Sequence, residues 1–170
     1  MKSKKVPGRL LAITVLVALV LFIVIFIVRS KEKTVISMSY HVNIVKATLE
    51  NGNFRRVLFT GPKSQLVVMS IPPGGEVGEE THKYTEQTLF FLSGTAQGEL
   101  NGKKFPVAPG DVIVVTAGTR HNFRNTGTED LKIYTVYAPP NHIDGRIHKT
   151  KADADADTAD EVIGESKALK

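Results

Sequence analysis

Hydrophobic and polar positions follow two regimes along this chain. From Leu10 to Val28, nineteen residues run without a charge and with Thr14 as the sole polar member. At 1.5 Å per residue a helix of that length spans about 28 Å, close to the apolar thickness of a bilayer. The pattern predicts a transmembrane helix over 10–28; the apolar run is long for a signal peptide, and no small-x-small cleavage pattern precedes Ser30. After Thr34 the long run gives way to short segments bounded by Gly, Pro and Asn. Phe54 to Leu58, Gln65 to Ile71, Gln87 to Ser93, Thr95 to Leu100, Lys104 to Val107, Asp111 to Thr116, His121 to Asn125 and Leu131 to Tyr137 read as strands. Asn101-Gly102 marks a tight hairpin, and Gly61-Pro62, Pro72-Pro73-Gly74-Gly75 and Pro109-Gly110 mark further turns. Short strands at this pitch predict an all-β domain, a double-sheet jelly roll or a barrel. The resulting plan is a basic flank over 1–9, the transmembrane helix over 10–28, a linker over 29–39, the barrel over 40–150 and an acidic low-complexity tail over 151–170.

Charge refines that plan. Lys and Arg number 22 against 17 Asp and Glu, giving a net charge of +5. Residues 1–33 carry seven basic and one acidic side chain, residues 34–150 twelve and ten, and residues 151–170 three and six. The basic excess is therefore N-terminal, and the barrel lacks the concentrated stripe that nucleic acid binding needs. Lys2, Lys4, Lys5 and Arg9 precede the apolar run and Arg29, Lys31 and Lys33 follow it. That four-to-three bias favours a cytoplasmic N-terminus, making the chain a single-pass membrane protein with its barrel on the extracytoplasmic side. No cysteine is present, so the domain must be held by packing alone. The alternating Ala and Asp after Lys151 predict an inert tail, disordered or at most a frayed helix.

Candidate chemistry lies between Gly74 and Asn125. Glu80 and His82 are two apart, which on an extended strand places a carboxylate and an imidazole on one face. Gln87 opens the next apolar run, and His121 must arrive through the fold. His121 also begins an alternation that sets Phe123 and Asn125 on its own side. Counting from Gly74, five residues lead to Glu80, then Thr81 and His82, four more lead to Gln87, and six more to Gly94. From Gly110, five residues lead to Thr116, then Ala117 and Gly118, two more to His121 and three more to Asn125.

These two spacings resemble the paired motifs of the cupin superfamily, small jelly-roll barrels whose first motif carries His-x-His and Glu and whose second carries Pro-x-Gly and His. Here Glu80 stands in place of the first His, Gln87 in place of the Glu and Thr116 in place of the Pro. Further segments, Phe54 to Leu58, Tyr137-Ala138-Pro139-Pro140 and His148-Lys149-Thr150-Lys151, resemble small single-domain bacterial cupins of the mannose-6-phosphate-isomerase type. The resemblance covers roughly 40–151 and leaves the N-terminal apolar run outside it. It implies a cupin barrel with a divalent metal, Fe, Mn, Ni or Zn, held by Glu80, His82, Gln87 and His121. With two neutral His, one carboxylate and one amide the formal charge of the set equals that of three His and one Glu. Two His and one carboxylate also match the donor types of non-haem iron centres.

For an enzyme, the resemblance is compatible with a metal-dependent isomerase or oxygenase acting on a small sugar-like or acidic molecule. The rival readings are a barrel that binds a small ligand without metal or turnover, and a metal that only staples the fold. Gln87 as a hydrogen-bonded core amide and His121 as a satisfied buried histidine belong to the metal-free reading. Arg55, Arg56, Arg120 and Arg124 are candidates for an anion clamp, although alternation turns Arg120 and Arg124 away from the face of His121. Tyr84 and Glu86 are candidate acid or base groups. His142 and His148, in an exit segment rich in Pro, Asn and Gly, read as surface residues. The resemblance further implies a homodimer paired through edge strands.

Overall fold

A computed structural model describes residues 39–160. The predicted transmembrane run, the flank before it, all but the last residue of the linker and residues 161–170 of the tail lie outside the described residues; among the described residues no helix is long and apolar enough to cross a membrane. Strands β1 (Arg55–Thr60), β2 (Gln65–Ile71), β4 (Glu86–Ser93), β5 (Ala96–Leu100), β6 (Lys103–Val107), β7 (Val112–Val115), β8 (Arg120–Asn125) and β9 (Leu131–Ala138) coincide with the eight expected runs to within a residue or two. Two short strands, β3 (Glu80–Thr81) and β10 (Ile147–His148), and two short helices, α1 (Ile44–Leu49) and α2 (Lys151–Asp155), have no counterpart among those runs. Each is too short to leave a periodic trace.

The strands form a six-stranded sheet in the order β10-β1-β2-β9-β4-β7 and a four-stranded sheet in the order β3-β8-β5-β6. All the ladders within them are antiparallel. Alternation decides what each strand buries. On β9, Leu131, Ile133, Thr135 and Tyr137 are fully buried while the residues between them are only partly covered. Val67, Met69 and Ile71 of β2 and Leu89 and Phe91 of β4 join them from the same sheet, and Ala96, Val107 and Phe123 answer from the other. The Phe91 and Phe123 rings meet across the gap at 5.3 Å between centroids. This is the jelly-roll sandwich expected from the strand count.

The turns explain the glycines of both spacings. Gly74, Gly94, Gly110 and Gly118 all have φ between +76° and +95°, a region that side-chain-bearing residues rarely enter. Asn101 and Gly102 likewise both take positive φ, matching the tight turn that joins β5 to β6. Asn125, which closes the second spacing, is also structural. Its amide donates to the carbonyls of Ile71 at 2.8 Å and Glu129 at 2.7 Å, and its oxygen accepts from the Gly127 N–H at 2.9 Å. Gly94 is the tightest of the four: a Cβ there would lie 2.9 Å from both the Asp130 carbonyl oxygen and Leu131 Cα, backbone atoms that cannot swing aside. Gly94→Ala should therefore destabilise the fold by about 1–3 kcal/mol. A urea titration with an unchanged midpoint would contradict this.

Candidate metal centre

Ladder register brings the site together. Strand β3 pairs with β8 so that Glu80 faces His121 directly, and His82 follows two residues later on the same side. The opposite wall comes from the six-stranded sheet, where Gln87 on β4 pairs with Tyr137 on β9. Glu80, His82 and His121 thus present one ligand atom each, all within 4.8 Å of one another. Glu80 Oε2 lies 3.3 Å from His82 Nε2 and 3.9 Å from His121 Nε2.

Hydrogen bonds fix which atoms are turned inward. His121 Nδ1 is 2.9 Å from the Thr119 carbonyl, which can only accept, so this nitrogen carries the proton and Nε2 keeps its lone pair. Gln87 Nε2 donates to the Tyr137 hydroxyl at 2.9 Å, which aims the amide oxygen at His121 Nε2, 3.1 Å away. Two acceptors therefore face a common point. Glu80 Oε2 and His82 Nε2 add to this: both are buried and neither has a hydrogen-bond partner. Four converging atoms, each able to offer a lone pair when His82 is in its neutral Nδ1–H form, are what a divalent cation would satisfy, and the mixture of imidazole, carboxylate and amide oxygen suits a first-row metal.

The carboxylate is held in place by Arg55. Its Nη2 donates to Glu80 Oε1 at 3.1 Å, leaving Oε2 for the site. Burial alone would raise the pKa of Glu80, but the adjoining His82 ring and the Arg55 guanidinium, with a smaller effect from His121, outweigh it and bring the pKa down to about 2. Burial pushes His121 below its ordinary value, which favours the neutral ring that a ligand requires. Burial, joined by the Glu80 charge, raises the Tyr137 hydroxyl, so it stays protonated.

The group opens into a cavity of about 380 Å³, whose further lining includes Arg55, Lys83, Asn141, His142 and Asp160. Several expectations are corrected here. His142 and His148 are buried, not superficial: His142 Nδ1 lies 2.8 Å from Asp160 Oδ2, and His148 Nε2 lies 3.0 Å from Asp157 Oδ2. Their Pro- and Gly-rich surroundings read as surface because the covering aspartates come from the segment expected to be an inert tail. That segment instead forms α2 behind a capping box of Thr150 and Asp153, and Asp160 is buried. The four arginines do not form a clamp. Arg120 binds Glu79 at 2.7 Å and Arg124 binds Glu76 at 2.6 Å on the exposed side, Arg56 is exposed, and Arg55 serves Glu80. Tyr84 and Glu86 do not line the cavity. Tyr137, Asn141 and Asp160 are the site residues the sequence reading missed; the Thr150-x-x-Asp153 cap was the one local sign that the tail was folded.

A family model described as the cupin domain matches residues 67–137. The solved structure of BH2720 from Bacillus halodurans superposes with a TM-score of 0.69 at 39% identity, covering 71% of this chain and 96% of that one. The uncharacterised protein YrkC of Bacillus subtilis is 43% identical over 120 residues, 66% of this chain and 64% of YrkC. The oxalate-binding protein of Thermotoga maritima is 35% identical over 68 residues, 40% of this chain and 56% of its own length. The chain thus spans less than two thirds of either curated relative. It belongs to the cupin family. These relatives do not single out the mannose-6-phosphate-isomerase type within it.

The Glu80 shift has a consequence for acid stability. A carboxyl whose folded pKa is about 2 against an ordinary 4.5 contributes stability that is fully present above pH about 4.5 and is lost as the pH falls towards 2. Glu80→Gln should flatten the fall of urea midpoints across that window relative to the parent. Equal slopes in the two proteins would contradict the assignment.

Proposed function

We propose that this cupin holds one divalent metal ion, Fe, Mn, Ni or Zn, on Glu80, His82 and His121, with the Gln87 amide oxygen as the fourth protein donor, and that the ion carries a small oxygen-rich molecule in the adjoining cavity. The convergence of unpartnered buried atoms is the observation that carries this reading: Glu80 Oε2 and His82 Nε2 have no hydrogen-bond partner, and His121 Nε2 faces another acceptor. A bound ion of this kind polarises an oxygen of the molecule it holds. The chain's own residues orient it, through Thr119 for His121, Tyr137 for Gln87 and Arg55 for Glu80. The printed name of the Thermotoga relative, an oxalate-binding protein, supports a small acid as the kind of molecule carried. The apolar run Leu10–Val28 and the basic residues before it support placing the barrel at a membrane, on its extracytoplasmic side.

Elemental analysis of the full chain purified in detergent should find near one equivalent of metal, absent from His82→Ala and His121→Ala. A folded parent that takes up no ion, or variants that retain it, would overturn the reading. Gln87→Glu replaces an amide oxygen with a charged donor and should tighten divalent-ion binding by roughly tenfold or more in a chelator competition. Weaker or equal binding would show that Gln87 does not reach the ion. Addition of chelator should lower the melting temperature of the parent, because an ion that binds only the folded state stabilises it.

A further inference from the structure

Among the described residues, eight buried side-chain nitrogen or oxygen atoms lack a hydrogen-bond partner, and five of them belong to residues lining the cavity at the metal group. Two of the five, Glu80 Oε2 and His82 Nε2, are accounted for as ligand atoms. The other three are Arg55 Nε, Asn141 Oδ1 and His142 Nε2, and the metal reading does not use them. Unpaired polar atoms in a protein interior are costly, so three at one cavity call for a partner that enters it.

Their hydrogen-bonding character can be assigned. Asn141 Oδ1 is an acceptor and Arg55 Nε–H a donor. His142 Nδ1 lies 2.8 Å from Asp160 Oδ2. Burial opposes the charge on Asp160, but its contacts with His142 and the Ile143 N–H, with the nearby Arg55 guanidinium, outweigh this and keep it ionised. An ionised carboxylate only accepts, so Nδ1 carries the ring proton. Burial holds His142 below its ordinary pKa, so the ring is neutral and Nε2 is a second acceptor. The ring is fixed further by the edge of Tyr137, 4.9 Å away between centroids.

We propose that Asn141 and His142, with Arg55, form a hydroxyl-binding wall of this cavity, so that the molecule carried by the metal is a hydroxy acid or sugar-like polyol and not a bare carboxylate. A hydroxyl group gives a proton to Asn141 or His142 and accepts one from Arg55 Nε, which an ammonium group cannot do. Ionised oxalate has no hydrogen to give, and it leaves both acceptors unmet. The wall belongs to the molecule as folded: Asn141 and His142 are anchored through their backbone N–H groups to Gln65 Oε1 at 3.2 and 2.9 Å, independently of their side chains.

This proposal deepens the metal reading above and rests on it. The test is a set of NMR titrations of the full chain in detergent, reconstituted with manganese, against propionate, lactate, glycerate and alanine, with metal content measured on the same samples. In the parent, glycerate should bind at least tenfold more tightly than propionate. Direct chelation by an α-hydroxyl contributes to that preference and survives in wall variants, so the discriminating quantity is its loss. Asn141→Leu removes an unpartnered acceptor, so it should leave the melting temperature and metal content unchanged while reducing the glycerate preference about five- to tenfold. His142→Ala should reduce it similarly.

A preference that survives undiminished in both variants would overturn the wall, as would alanine binding as tightly as lactate, or a parent that does not prefer glycerate or does not bind it. If the parent takes up no metal yet shows an Asn141-dependent preference for glycerate, the metal reading fails and the wall stands. If metal is bound stoichiometrically and the preference ignores Asn141 and His142, the wall fails and the metal reading stands.

Discussion

The carboxylate of Glu80 is the joint on which this site turns. One oxygen is taken by Arg55 and the other is aimed at two imidazoles, so a single residue ties the six-stranded sheet to the four-stranded one at the cavity mouth. Strand β3 is two residues long and pairs only with β8. Glu80 is opposite His121 in that ladder, so backbone register sets the distance between two of the candidate ligands. The adjoining His82 ring and the Arg55 guanidinium together keep the carboxyl ionised where burial would protonate it. A partly buried carboxylate, a guanidinium and two imidazoles lie in mutual contact there.

Around that joint, three of the inward-facing groups have their other end occupied. Thr119 takes the His121 proton, Tyr137 takes the Gln87 amide, and Asp160 takes the His142 proton. The pattern is one of orientation by an outer ring of partners, which selects the tautomer and amide face that the cavity sees. The C-terminal segment is part of this ring. Asp157 and Asp160 cover His148 and His142, and Asp160 also lies 3.7 Å from Arg55, which links the two carboxylates through one guanidinium.

The strands and the spacing Glu80, His82, Gln87, His121 were legible because both depend on local repeats: alternation every second residue, and turn glycines whose positive φ punctuates the chain. The structure brings those four side chains to one point, and it gives Gln87 the hydrogen-bonded, fully buried setting of a core amide as well. What was not legible depends on partners far apart in sequence. Nothing near Arg55 announces Glu80, and nothing near His142 announces Asp160, because the pairing exists only once β1 and the C-terminal segment are folded over the barrel. The alternating Ala and Asp of that segment carry the composition of a solvated tail. Its burial comes from two particular aspartates, which composition cannot distinguish from their neighbours.

The central claim is that the lone pairs of Glu80, His82, Gln87 and His121 share one ion. Crystals of the full chain grown with manganese, with anomalous diffraction recorded at a wavelength where manganese scatters strongly, test it directly. The expected result is one strong peak within bonding distance of Glu80 Oε2, His82 Nε2 and His121 Nε2, with the Gln87 amide oxygen turned towards it. A well-ordered site with no peak there, or a peak only at the exposed acidic side chains, would contradict the account.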